Sequence, residues 1–381
     1  MHYFDNAATT FPKPETVYET MDKFYRTYGV NAGRGMFREA SIANNLISET
    51  RQLMLDLLHA TSDYDCIFTS SATEALNVIL QGMSWSEGMV VYTTPFEHNA
   101  ILRTLKYLEN EHRIVIKELT PKDFIYDIGE IKQTFLQNVP NVVVMSHASN
   151  AFGFINPIKD IFSLAKEFGA TTVCDMAQTA GLIDTNIVEN KIDYAVFAGH
   201  KTLYGPFGIA GFITNDKCKL KPLIYGGTGV DSKNPYMPEE MPTKYEAGSH
   251  NICAIAGLNA SLKWLNSIGI VNVWEQEKKH TYTALEIILK HKNIKVIRCP
   301  DESKNIGVIS CVFDGYSSDN IGQVLSENDI DVRTGLHCAP RAHEFLKTAP
   351  NGTVRFSLSY FTNDKDFEKL EEILSYIEEN S

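Results

Sequence analysis

Between residues 66 and 208 short apolar runs alternate with segments of helical periodicity, and this alternation constrains the fold more than any other feature. The runs fall at 66–69, 89–92, 113–117, 141–145, 171–174 and 193–198, with helical stretches after residues 71 and 99, over 128–136 and from 157. Short apolar runs bounded by polar turns read as buried strands, and strands alternating with helices make βα units whose mainly parallel sheet is covered on both faces. The predicted class is α/β. Ligands of such sheets bind beyond the carboxyl ends of the strands. The residues that follow each run are therefore the informative ones.

Five successive exits are polar in complementary ways: Ser70-Ser71-Ala72-Thr73, Glu97-His98-Asn99, Ser146-His147-Ala148-Ser149-Asn150, Asp175-Met176-Ala177-Gln178 and Gly199-His200-Lys201. Ser71 with Glu74 forms a capping box, which sets a helix N-terminus directly after a strand. Such a terminus suits a phosphate, although it also reads as a well-capped helix and nothing more. Lys201 ends a core strand, where an ammonium loses hydration; it must reach solvent, meet a carboxylate, or sit neutral and ready to form a Schiff base. A phosphate cradle, a lysine, a carboxylate and an aromatic ring around one crevice are what pyridoxal phosphate (PLP) requires: the carboxylate keeps the pyridine nitrogen protonated and a flat side chain stacks on the ring. NAD is the alternative cofactor, disfavoured because no Gly-x-Gly-x-x-Gly follows the early strands.

The remainder of the chain frames this unit. A helix is predicted from residue 14 or 15, a loop at 31–35 and an amphipathic helix over 41–58; no regular element is evident before residue 14. Beyond Gly211 come a long glycine- and proline-punctuated loop at 225–244, helices at 254–266 and 275–289, and a mixture of strands and helices to residue 378. We therefore expect a large PLP-binding domain at 14–255 and a smaller α+β domain at 256–381 together with residues 1–13. A formal charge of −12 leaves no basic footprint for nucleic acid or an anionic membrane. The N-terminus lacks the pattern of a signal peptide and no run of about 18 apolar residues occurs, so a cytoplasmic location is expected. Seven scattered cysteines (66, 174, 218, 253, 299, 311 and 338) without a Cys-x-x-Cys pair suit reduced thiols better than disulfides or a zinc cage, and no metal is expected.

Taken with Asp5-Asn6-Ala7-Ala8-Thr9-Thr10 and Arg333-Thr334-Gly335-Leu336-His337-Cys338-Ala339, these exits resemble a class V aminotransferase-fold cysteine desulfurase, of the SUF-type or selenocysteine-lyase-like branch. The resemblance covers nearly the whole chain and implies PLP-dependent transferase fold type I. It further implies Lys201 as the Schiff-base lysine, Asp175 on the pyridine nitrogen, Gln178 on the ring oxygen and His98 stacked on the ring. Asn150 would touch cofactor or substrate; Ala72, Thr73 and His200 would hold the phosphate; Arg355 would grip the substrate carboxylate. Ser249 matches a position that reaches the neighbouring subunit's phosphate, which implies a homodimer with shared sites.

Cys338 is the residue that turns this chemistry to desulfuration: L-cysteine would become L-alanine, leaving a persulfide on Cys338 for a sulfur-acceptor protein. The alternatives are a selenocysteine lyase, a class V aminotransferase in which Cys338 is incidental, and a non-catalytic scaffold. A zinc site from Cys338, His337 and His343 lacks a fourth ligand. Three positions depart from the branch's pattern: Ala198 replaces a phosphate-bonding serine, and Gly33 and Leu336 stand where histidines are usual.

Overall fold

The computed structural model describes every residue except Arg34, Met36, Lys217, Cys218, Asp231, Ser232 and Ser381. The expected thiol at Cys218 and the arginine of the 31–35 loop thus lie outside the described residues. Seven strands form the main sheet in the order Asp65–Thr69, Ala210–Thr214, Tyr194–Ala198, Thr171–Asp175, Val142–Ser146, Val90–Thr93, Val115–Glu118. Only Ala210–Thr214 runs against its two neighbours; every other pairing is parallel. This antiparallel strand was not expected from the sequence. The five polar exits consequently share one edge of the sheet.

Burial on both faces explains the apolar runs. Along Tyr194–Ala198, Ala195 and Phe197 face one hydrophobic layer, with Leu258, Leu262 and Leu265 of the helix Ile252–Ile268. Tyr194 and Val196 face the other, with Leu76 and Ile79 of the helix Ala72–Gly82 and Ile101 and Leu105 of Asn99–His112. That helix Ala72–Gly82 starts where the capping box placed it. The Ser71 side chain accepts from the Glu74 N–H at 3.1 Å, while the glutamate returns to the Ser70 N–H at 2.8 Å instead of to Ser71.

A second, antiparallel sheet follows in the order Arg333–Gly335, Thr353–Ser357, Val308–Phe313, Ile294–Ile297. Its strand Thr353–Ser357 alternates in function as well as direction. Val354 and Phe356 enter a core with Leu370 and Leu374 of the C-terminal helix Asp364–Glu379, and the buried polar side chains Thr353, Arg355 and Ser357 take the opposite face. The N-terminal segment, read as irregular, carries the short strand His2–Tyr3 paired in parallel with Ile330–Asp331. The expected division at 255/256 falls inside the helix Ile252–Ile268, whose leucines pack with the main sheet. We propose Gly269, the left-handed break (φ 85°) before the helix Ile270–Ile288, as the division instead.

Gly211 tests the packing of the antiparallel strand, because a Cβ there would come 2.0 Å from the Ile67 carbonyl oxygen and 2.7 Å from the Phe197 ring. Backbone cannot retreat as a side-chain tip can. Gly211→Ala is expected to destabilise the protein by about 3 kcal/mol, read as a lowered urea midpoint.

Candidate active site

Strand Tyr194–Ala198 ends in a turn that places Lys201 over the sheet edge. Gly199 makes this possible: a Cβ there would lie 2.6 Å from the Ile209 carbonyl oxygen. The turn closes through Tyr204 N–H to Lys201 O at 2.8 Å and Gly205 N–H to Gly199 O at 2.7 Å. From the other side the segment 5–13 straps it down, with the Thr10 hydroxyl donating to Lys201 O at 2.8 Å and the Thr9 hydroxyl to His200 O at 2.9 Å. Burial pushes the Lys201 amine below the usual lysine range; Asp175 opposes this, and the Arg355 and Arg333 guanidiniums add to it.

Around this amine lies a cavity of about 250 Å³. Its walls include Ala72, Thr73, His98, Asn150, Asp175, Gln178, His200, Lys201, Cys338 and Arg355, which is every expected site residue except Ser249. His98 caps the helix Asn99–His112, its Nδ1 accepting from the Ala100 N–H at 3.0 Å; burial, then the Lys201 charge, push its pKa down to about 4. Asp175 is buried at the end of strand Thr171–Asp175 and accepts from the Ala177 N–H at 2.9 Å. The Gln178 amide donates to Ala7 O at 2.8 Å. Burial pushes His200 down to about 3, so its imidazole, stacked on Phe207, is neutral.

Arg355 is 1% exposed and held on two sides: it ion-pairs with Asp5 and donates from Nη1 to Asn150 O at 2.9 Å. The Asn150 amide donates to His337 O at 2.7 Å, and the Asn99 N–H to Cys338 O at 2.7 Å. These bonds fix two consecutive left-handed residues, His337 (φ 48°) and Cys338 (φ 57°), a backbone shape that costs energy for side chains with a Cβ. Cys338 is exposed and stands on a divide: it also lines an outer groove between the helices Ala72–Gly82 and Asn99–His112, with Asn77, Arg103 and Tyr107. The His337 and His343 rings bond the Thr353 and Thr348 hydroxyls.

Several residues of the site escaped the sequence reading, although all but Lys13 lie in the polar segments named above. Glu97 is fully buried beneath it, accepting from the Thr94 hydroxyl at 2.6 Å, the Ser146 N–H at 2.7 Å and the Ser146 hydroxyl at 2.8 Å. Burial raises its pKa to about 7. Arg333 and His337 line the cavity, and Asp5 and Lys13 brace it. A carboxylate in the turn that follows the apolar run 89–92 was the available signal for Glu97. Ser249 lies exposed, outside the cavity wall, on a loop anchored by the Arg51–Glu246 ion pair. Ala198 lines the cavity without a hydroxyl to offer; Gly33 and Leu336 are not in its wall.

Residues 2–370 match the Aminotransferase class-V family. The chain belongs to that family. The family is PLP-dependent. A probable cysteine desulfurase of Methanothermobacter thermautotrophicus is 31% identical over 99% of this chain and 94% of its own length. One of Pyrococcus abyssi is 32% identical over 99% and 93%. Among solved structures, the apo cysteine desulfurase of Thermococcus onnurineus NA1 superposes with a TM-score of 0.92 at 27% identity, covering 100% of this chain and 95% of that one. The class V cofactor suits the cavity on this structure's own terms. His200 Nδ1 and Arg355 Nε, both in residues of its wall, are buried and have no partner among the described residues. Buried polar atoms without partners are sites awaiting one. Among the described residues, no helix is long and apolar enough to cross a membrane.

Two buried histidines outside the cavity wall set an acid limit. Burial lowers the pKa of His147 and of His343 from 6.5 to about 4. The unfolded chain takes up these protons near 6.5 and the folded one only near 4, so this stability is present above 6.5 and is lost as pH falls through 4. Urea unfolding between these limits is expected to show stability rising with pH, with a shallower slope in His147→Gln.

Proposed function

We propose that this class V protein is a PLP-dependent cysteine desulfurase that converts L-cysteine to L-alanine and leaves the sulfur as a persulfide on Cys338. The observation that carries the reading is the position of Cys338. Among the described residues it is the only thiol in the wall of the cavity that holds Lys201, and it is exposed on the cavity's outer side. A thiol there can take sulfur from inside and offer it outside.

PLP, when bound, supplies an electron sink conjugated to the substrate's α-carbon. In our reading Lys201 anchors it and afterwards carries protons at Nζ, a task suited to an amine whose pKa burial has lowered. Asp175 would pair with the pyridine nitrogen and Gln178 with the ring oxygen, and the neutral His98 ring would stack on the cofactor. Ala72, Thr73 and His200 would hold the phosphate, two of them at the N-terminus of the helix Ala72–Gly82. Arg355, already oriented by Asp5 and Asn150 O, receives the substrate carboxylate, with Asn150 beside it.

The Cys338 thiolate attacks the substrate sulfur. A sulfur–sulfur bond forms as the carbon–sulfur bond breaks, the bonding pair stays with carbon, and a proton delivered there completes the methyl group of alanine. The persulfide then faces the outer groove, where an acceptor protein's thiol can remove it. Given cysteine and a reductant, the wild type is expected to release equal amounts of alanine and sulfide. Cys338→Ala is expected to keep PLP while losing sulfide release on the order of a hundredfold or more, because a positioned nucleophile is gone. Undiminished release from that variant defeats the persulfide route, and activity on selenocysteine alone points to a selenocysteine lyase.

The exposed Ser249, outside its own protomer's cavity, supports a homodimer in which each subunit completes the other's phosphate site. Sedimentation is expected to show a dimer, and Ser249→Ala to weaken PLP retention. A monomer with full PLP content contradicts the shared site.

A further inference from the structure

The carbonyl of His200, the residue before Lys201, receives three hydrogen bonds. The Thr10 N–H donates at 3.1 Å, the Thr9 hydroxyl at 2.9 Å and the Lys13 ammonium at 2.6 Å. A carbonyl oxygen has two lone pairs, so the two threonine donors already satisfy it. What Lys13 adds is charge. It is an expensive choice for the purpose: burial lowers the Lys13 pKa to about 7, and no carboxylate among the described residues acts to raise it. A buried amine in this position holds its proton more firmly once an anion comes beside it.

Its surroundings name the anion. The helix N-terminus at Ala72 and Thr73 and the His200 imidazole line the cavity, and they offer neutral donors only. Ala198 contributes no hydroxyl. Two cations act on the His200 imidazole, Lys201 and Lys13, and the Lys201 amine is committed to the cofactor's aldehyde. A phosphate dianion bound among neutral groups is stabilised by a positive charge close by, and the dianion itself favours the protonated form of a neighbouring buried amine.

We propose that Lys13 is the counter-charge for the cofactor's phosphate, acting from behind the His200 peptide as a positioning residue and not as a wall of the cavity. The proposal rests on the PLP reading of the site and assigns Lys13 no step in the reaction. It also explains why the strap formed by residues 5–13 carries an unpaired lysine where a third neutral donor would be redundant.

Apo-protein titrated with PLP and with pyridoxal, which lacks the phosphate, separates the charge from mere support of the Lys201 turn. Binding is followed by the absorbance of the cofactor–lysine linkage. Lys13→Gln is expected to raise the dissociation constant for PLP on the order of tenfold, a change of about 1.4 kcal/mol. It is expected to leave pyridoxal binding unchanged, and Lys13→Arg to restore PLP binding. Apo Lys13→Gln unfolds at the wild-type urea concentration or above it, since an uncompensated charge has been removed; Lys13→Met repeats the neutral substitution with another side chain. Equal weakening for both ligands shows a turn support only and overturns the counter-charge, as does undiminished PLP binding. A wild type that binds no PLP overturns the cofactor reading itself, a different failure recognisable before any variant is made.

Discussion

Keeping one amine away from water at the end of a buried strand is the constraint on which the rest of this structure depends. Lys201 cannot be placed there by its own strand alone, because the turn that carries it needs a residue without a Cβ at position 199 and bonds from elsewhere to hold its carbonyls. The segment 5–13 supplies those bonds, and Asp175, two strands' ends converging on the same edge, offsets part of the desolvation. A lowered amine pKa then follows from position and needs no special chemistry.

The substrate side of the cavity is organised by the second sheet through a single strand. Because side chains alternate along Thr353–Ser357, one face is held by the apolar core around Phe356 and the other delivers Arg355 to the cavity. Asp5 and Asn150 then orient the guanidinium before any ligand arrives, which reduces the ordering that binding must supply.

The alternation of strands and helices was legible because strands buried on both faces must be apolar throughout, as Tyr194–Ala198 is. The polar exits were legible for the complementary reason that they interrupt it. The strand Ala210–Thr214 was not: Ala-Gly-Phe-Ile-Thr is short, follows a glycine-rich turn and reverses direction. The helix Pro340–Phe345 is too brief to show a period. Segment 5–13 has no periodicity at all, since its partners are the carbonyls of 200 and 201 and the side chains of 355 and 357. Left-handed backbone at His337 and Cys338 left no mark because both residues ordinarily avoid it. Helical periodicity says nothing about which sheet a helix covers, so the proposed division at Gly269 was not legible in the sequence. Ser249 is exposed and outside the cavity wall.

Segments some 350 residues apart in sequence meet in this site. Asp5 pairs with Arg355, and the Ala7 N–H and the Asn6 amide bond the side chain and the carbonyl of Ser357. During synthesis on the ribosome the main sheet and the Lys201 turn emerge well before the strand that carries Arg355. Residues 5–7 must therefore wait for residues 355–357, and until those are made the growing chain carries Lys201 without the partners that enclose it.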